Sequence, residues 1–121
     1  MEQHASGTRE AGPAAAGILA HIRHRRSGMV ELLQRLAEAE SPSTVPEAQA
    51  GICDIIAAEL GRLGFRVWRI PGRASGGMLY ARPRVRRRGA PAQLLLGHYD
   101  TVWPLGTLAD MPFEVREDSV H

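Results

Sequence analysis

Lysine is missing from this sequence: all 15 basic residues are arginine, against 13 acidic ones. The formal net charge of +2 is too small to imply a polyanionic partner. Arginine in place of every lysine reads as coding bias more than chemistry. Cysteine is scarce as well. Cys53 is alone, which excludes an internal disulfide and any zinc cluster built on thiolates. It lies within "GICDII", where a free cysteine in a helix acts as a small buried hydrophobe. No apolar run reaches the roughly 18 residues that a membrane span requires. The opening "MEQHASGTREAGPAAAG" lacks the apolar stretch of a secretion signal. Residues 1–16 therefore read as a loose N-terminal tail, and the protein as cytoplasmic with no membrane partner.

What is present suits one domain or less. A chain of 121 residues should bury roughly two-thirds of its unfolded surface. Apolar content of 44% with 23% charged residues indicates a globular chain. From Gly17 to Ala39 the apolar residues Ile18, Ile22, Met29, Val30, Leu33 and Leu36 recur at helical spacing, which predicts one helix. "ESPSTVPE" breaks it. Ser43 or Thr44 can cap a second helix over 46–63, with Pro46 in its first turn and Gly64 ending it. Its buried stripe is Ile52, Ile56, Leu60 and Leu63, with Ile55 beside them. Asp54 reads as a polar position on this helix.

"FRVWRI" (65–70) and "MLYAR" (78–82) predict strands joined by the loop "PGRASGG". "QLLLGHYDTV" (93–102) predicts a third. Its leucines are consecutive, as in a strand covered on both faces. "FEVRE" suggests one more short strand, and "EDSVH" the start of a turn whose other side is missing. The expected fold is an α/β layered domain: two helices, then a partial mixed sheet.

The chemistry gathers where the leucines stop. In open α/β sheets, sites form beyond the carboxyl ends of strands. Gly97 allows a bend or a close approach there. His98 and Asp100 then lie on one side of an extended chain, about 7 Å apart by strand rise. A metal-bound histidine donates its other ring N–H to a carboxylate, which fixes the tautomer and raises basicity. His98 is thus a candidate metal ligand and Asp100 its orienting carboxylate. On spacing alone, a histidine at a strand end is more often a hydrogen-bonded structural residue.

The wider string "LLLGHYDTVWP", followed by "GTLADMPFEV", resembles the first metal-binding segment of a zinc-dependent family of metallopeptidases and amidohydrolases. The family includes glutamate carboxypeptidase, aminoacylase, acetylornithine deacetylase and succinyl-diaminopimelate desuccinylase. The matching residues are Gly97, His98, Asp100, Val102 and Pro104, then Pro112 and Phe113. The order of helix, "ESPS", helix ending in "LGF" and two strands matches too. The resemblance runs over residues 18–118.

It implies that residues 17–121 are the N-terminal part of a metallopeptidase catalytic domain. His98 would ligate one of two zinc ions, with cobalt or manganese as alternatives, and Asp100 would be the catalytic-site carboxylate that orients it. It implies hydrolysis of an amide bond in a small peptide or N-acyl amino acid, and a homodimer for the full-length form. The family's bridging aspartate, glutamate pair, further acidic ligand and distal histidine cannot be matched here. The expectation is a chain that carries only the first ligand motif and is inactive by itself. Substrate-binding residues are not assigned. Trp103 and "GTL" lean towards an acidic leaving group, or Trp103 is an apolar plug beneath the loop.

Other groups offer less. His21 and His24 share a helix face but lie among Arg23, Arg25 and Arg26, which disfavours a cation. No spacing supports Asp110, Asp118 or His121 as ligands. One competing reading is a non-catalytic truncated or helper domain. Another is a nucleic-acid binder using Arg82, Arg84, Arg86, Arg87 and Arg88. That cluster sits among Pro83, Gly89 and Pro91, reads as a solvated turn and has no interleaved aromatics, so no nucleic-acid partner is expected.

Overall fold

A computed structural model describes residues 12–117 and 119–121. The expected tail over 1–16 lies mostly outside them, but Pro13 already opens helix α1 (Pro13–His24). Proline suits this position because its absent N–H would have had no helical partner. The single helix expected over 17–39 is two. Arg25, at φ −95° and ψ 4°, interrupts the chain before α2 (Arg26–Glu38). Arg23 and Arg26 set like charges one turn apart here, which weakens a helix. The apolar stripe exists but is not buried: Ile18, Ile22, Met29 and Leu33 are all exposed. The chain divides into two compact units, with the boundary after Leu32, inside α2.

The second unit holds the remaining elements. A short 3-10 turn (Pro46–Ala48) leads into α3 (Gln49–Arg62). Pro46 stands in the first turn as expected. Neither Ser43 nor Thr44 caps it: Val45 precedes the turn and no side chain bonds its N–H groups. Gly64, at φ +83°, ends the helix in the left-handed region. Strands β1 (Phe65–Ile70) and β2 (Met78–Pro83) follow the sequence closely. They pair antiparallel from Phe65 opposite Pro83 to Ile70 opposite Met78. Alternation puts Phe65, Val67, Leu79 and Ala81 on the face that α3 covers, and Arg69 pairs there with Asp54. Trp68 and Tyr80 lie opposite each other on the other face, ring centres 5.6 Å apart, with the Arg66 guanidinium 6.0 Å from the Trp68 ring.

Within the second unit, Glu59 ties the C-terminal part of α3 to residues 33–38 of α2. It accepts from Arg35 at 2.9 Å and from Arg62 at 2.5 Å. These two hydrogen bonds, in that order, hold its carboxyl below the usual carboxylate range. The most deeply buried positions are Ser41, Pro42, Gln49, Ile52 and Cys53. The core therefore sits where the first turn of α3 meets the 41–42 segment. Leu63, expected in the buried stripe, is exposed.

The sheet departs from expectation. It is a two-stranded antiparallel sheet rather than a partial mixed one, and residues 92–100 join no ladder among the described residues. Leu94, Leu95 and Leu96 are 83%, 94% and 91% exposed. An apolar run specifies a buried strand only where neighbours pair and cover it, and here pairing begins only at Thr101. The chain end is also corrected. β3 (Val115–Arg116) and β4 (Ser119–Val120) form a hairpin, so the turn's other side is present. Glu114 and His121 exchange backbone hydrogen bonds of 2.9 and 2.8 Å. Three helices with these small antiparallel sheets make a mixed α/β arrangement.

Candidate functional site

The segment 41–43 acts as a strap beside residues 99–101. Thr101 N–H donates to the Ser41 carbonyl at 2.8 Å, and Ser43 N–H to the Thr101 carbonyl at 2.9 Å. These close a parallel bridge between Pro42 and Thr101. The Ser41 hydroxyl donates to the Tyr99 carbonyl at 2.7 Å. Gln49, on the first turn of α3, donates to the Pro42 carbonyl at 3.1 Å. Buried polar groups are thus paired where the strap enters the core, as burial demands. Glu40, one residue upstream, accepts from the N–H groups of Gly106 at 2.9 and 3.0 Å and of Leu108 at 3.2 Å. It holds the loop after Pro104, where Gly106 takes φ +88°.

The strap presents His98 and Asp100. His98 Nδ1 lies 3.2 Å from Asp100 Oδ1 and 3.1 Å from the Asp100 carbonyl oxygen. The His98 side chain is 85% exposed and that of Asp100 39%. Asp100 Oδ2 accepts from the Ser43 hydroxyl at 2.5 Å. The Ser43 hydrogen bond, first of all, holds the Asp100 carboxyl below its ordinary range. Its own backbone N–H and His98 add to this, against desolvation that pushes the other way. Asp100 is therefore a carboxylate at neutral pH, able only to accept. Between the two, Tyr99 turns inward. Its hydroxyl donates to the Gly77 carbonyl at 2.7 Å, tying this segment to the β1–β2 loop.

The structure thus brings His98 and Asp100 together as their spacing suggests. Gly97 does less than expected: a Cβ there would meet nothing within 4 Å, and its φ is not left-handed. Trp103 is 56% exposed, not a buried plug. Among the described residues of the second unit, no hydrogen bond joins Asp110 or His121 to the pair. His21 and His24 are exposed in the last turn of α1. Asp110 closes the short turn over 107–109 and is exposed. His121 Nε2 lies 3.0 Å from the Ser119 hydroxyl in the terminal hairpin. Asp118 lies outside the described residues. The arginines at 84 and 86–88 are exposed in the turn after β2.

Could these residues hold a metal? Nδ1 of His98 is occupied by acceptors, which leaves Nε2 as the free ring nitrogen, so His98 fits a single imidazole ligand. A complete set does not form: no group of three or more His, Cys, Asp or Glu could hold an ion among the described residues. A cavity of about 330 Å³ lies elsewhere, between the start of α3 and the β1–β2 loop, bordered by Glu47, Cys53, Arg69 and Met78.

The sequence by itself assigns no site role to Glu40, Ser41, Ser43 or Gln49. For the first three the signal is "ESPS", polar side chains at a helix break, where only Ser43 is considered, as a cap. Their partners lie 57–68 residues downstream, whereas Gln49 bonds Pro42 seven residues upstream.

Fold and site together define a mixed α/β chain that presents an exposed histidine steadied by a carboxylate. Among curated proteins, carboxypeptidase G2 of Pseudomonas sp. (strain RS-16) is similar to it, 32% identical over 95 residues. The matched region covers 77% of this chain, and the chain spans 22% of the length of that relative. This supports a peptidase-family resemblance. No family model and no solved structure matches. No helix among the described residues is long and apolar enough to cross a membrane.

Proposed function

We propose that this chain carries the first metal-ligand segment of a metal-dependent hydrolase of amide or peptide bonds, of the carboxypeptidase or amidohydrolase kind. The observation that carries this reading is the engagement of His98 Nδ1 by Asp100, which frees Nε2 on an exposed ring. The similarity to carboxypeptidase G2 supports it. In this reading His98 is a zinc ligand through Nε2 and Asp100 orients the ring. Zinc, or cobalt or manganese in its place, supplies Lewis-acid polarisation of a carbonyl oxygen and a water acidified towards neutral pH. The work of this chain's own residues is narrower. Asp100 keeps the ring proton on Nδ1, Tyr99 anchors the segment from below, and Glu40 holds the loop that follows it. The substrate in this reading is a small peptide or N-acyl amino acid, and the working form contains further ligands and is dimeric.

A catalytic zinc takes three protein ligands and an open position, so the 121-residue chain by itself should bind zinc weakly and hydrolyse no amide bond. Zinc titration followed by the ring ¹⁵N signals checks this. His98 should respond at Nε2, and His98→Ala should remove the response. Equal zinc binding by His98→Ala sinks the ligand assignment. Amidase activity that requires His98 in the pure chain sinks the claim that more of the site is needed.

A further inference from the structure

The His98 ring has two nitrogens, and the known contacts settle which one carries the proton. Nδ1 faces the Asp100 carboxylate and the Asp100 carbonyl oxygen. Both only accept, so Nδ1 donates. The carboxylate is the stronger partner, since charge-assisted hydrogen bonds are roughly twice as strong as neutral ones. That partner is useful only while Oδ1 points at the ring. An aspartate carboxyl turns broadly about its terminal torsion, and something must stop it.

Ser43 is that stop. Its hydroxyl takes Oδ2 at 2.5 Å, leaving Oδ1 for His98. The hydroxyl also lies 3.1 Å from the Thr101 carbonyl, but it has one proton, and the nearer, charged acceptor holds it. Ser43 is itself fixed by its backbone bond to Thr101, with Ser41 bonded to Thr101 N–H and to the Tyr99 carbonyl on the same strap. The serine is therefore part of a rigid frame, with no capping task on the helix that follows.

We propose that Ser43 is a positioning residue for His98: by holding the Asp100 carboxylate it keeps the ring proton on Nδ1 and Nε2 available as the nitrogen presented to a divalent cation. The cation rests on the function proposed above; the placement of the proton does not.

The test is the ring ¹⁵N pattern of His98 in the metal-free chain, at a pH where the ring is neutral, for the wild type, Ser43→Ala and Ser43→Thr. The wild type should show Nδ1–H and an unprotonated Nε2. Ser43→Ala should raise the Nε2–H population about threefold, the size expected for loss of one modest hydrogen bond. Ser43→Thr keeps the hydroxyl and should restore the wild-type pattern. Ser43 is exposed, and an unchanged backbone amide spectrum away from residues 98–101 establishes that the fold survives. A wild-type ring pattern in Ser43→Ala, or a Ser43→Thr pattern matching Ser43→Ala, overturns the proposal. Zinc added to the same samples separates the two ideas. If the proton moves in Ser43→Ala but wild-type Nε2 ignores zinc, the positioning role stands and the metal assignment falls. If Nε2 responds to zinc but the proton does not move in Ser43→Ala, the assignment stands and the positioning role falls.

Discussion

Tyr99 sits between the exposed His98 and the half-buried Asp100 and points inward to the Gly77 carbonyl, because side chains alternate along an extended chain. Burial, above all, then the nearby Cys53 thiol and the Asp100 charge, push its phenol up to about 12. The folded state thus holds the Tyr99 proton more tightly than the unfolded chain does. Its stabilising contribution is complete below the ordinary tyrosine value and is lost as pH rises through about 12. An ultraviolet titration of the phenols should show one group ionising near that pH, absent from Tyr99→Phe. If Tyr99→Phe leaves that late step in place, the burial argument fails. At this scale the sequence was half legible. His98 and Asp100 could be paired by spacing, because two positions along an extended chain share a side. Ser43 and Glu40 could not be assigned, because their partners lie 57 and 66–68 residues away and nothing local marks them.

Among the elements, the β1–β2 connection has the tightest backbone. Gly77 takes φ +87°, and a Cβ there would lie 2.3 Å from the Ile70 carbonyl oxygen and 2.8 Å from Gly72 N. Its own carbonyl holds Tyr99. Gly77→Ala should destabilise the second unit by about 1–3 kcal/mol, the range for a side chain forced into the left-handed region. Gly97→Ala, with open space around it, should stay within about 0.5 kcal/mol of the wild type. Urea midpoints at constant slope measure both. Equal shifts for the two variants would show that the close approach at Gly77 does not matter. The strands themselves were readable, since "FRVWRI" and "MLYAR" are rich in residues that fit a pleated surface. Pro46 and Gly64 marked the limits of the helical segment for stereochemical reasons. The interruption at Arg25 and the closed terminal hairpin were not readable. Each depends on a balance of local hydrogen bonds that no single residue type announces.

For the molecule as a whole, the leucines carry the main consequence. Leu94, Leu95 and Leu96 lie exposed on an extended segment. Contiguous exposed apolar surface and unpaired strand edges both promote association. The chain should self-associate as its concentration rises, and Leu95→Arg should reduce this with a change in melting temperature near zero. Sedimentation velocity over a concentration series measures it. Equal association by Leu95→Arg would place the sticky surface elsewhere, with Trp68 and Tyr80 on the open face of the β1–β2 sheet as the next candidates.

Local stereochemistry determined much of this protein directly from its residues: two strands with their connecting loop, the end of α3 at Gly64, and a histidine and an aspartate close enough to meet. Those features depend on neighbours within a few positions, where covalent geometry and side-chain shape suffice. Only the tertiary structure decided that the serines of a helix break would brace the His98 loop and that three leucines suited to a buried strand would lie in solvent. Hydrogen bonding and burial depend on what arrives from distant parts of the chain, and a run of residues does not contain its own partners.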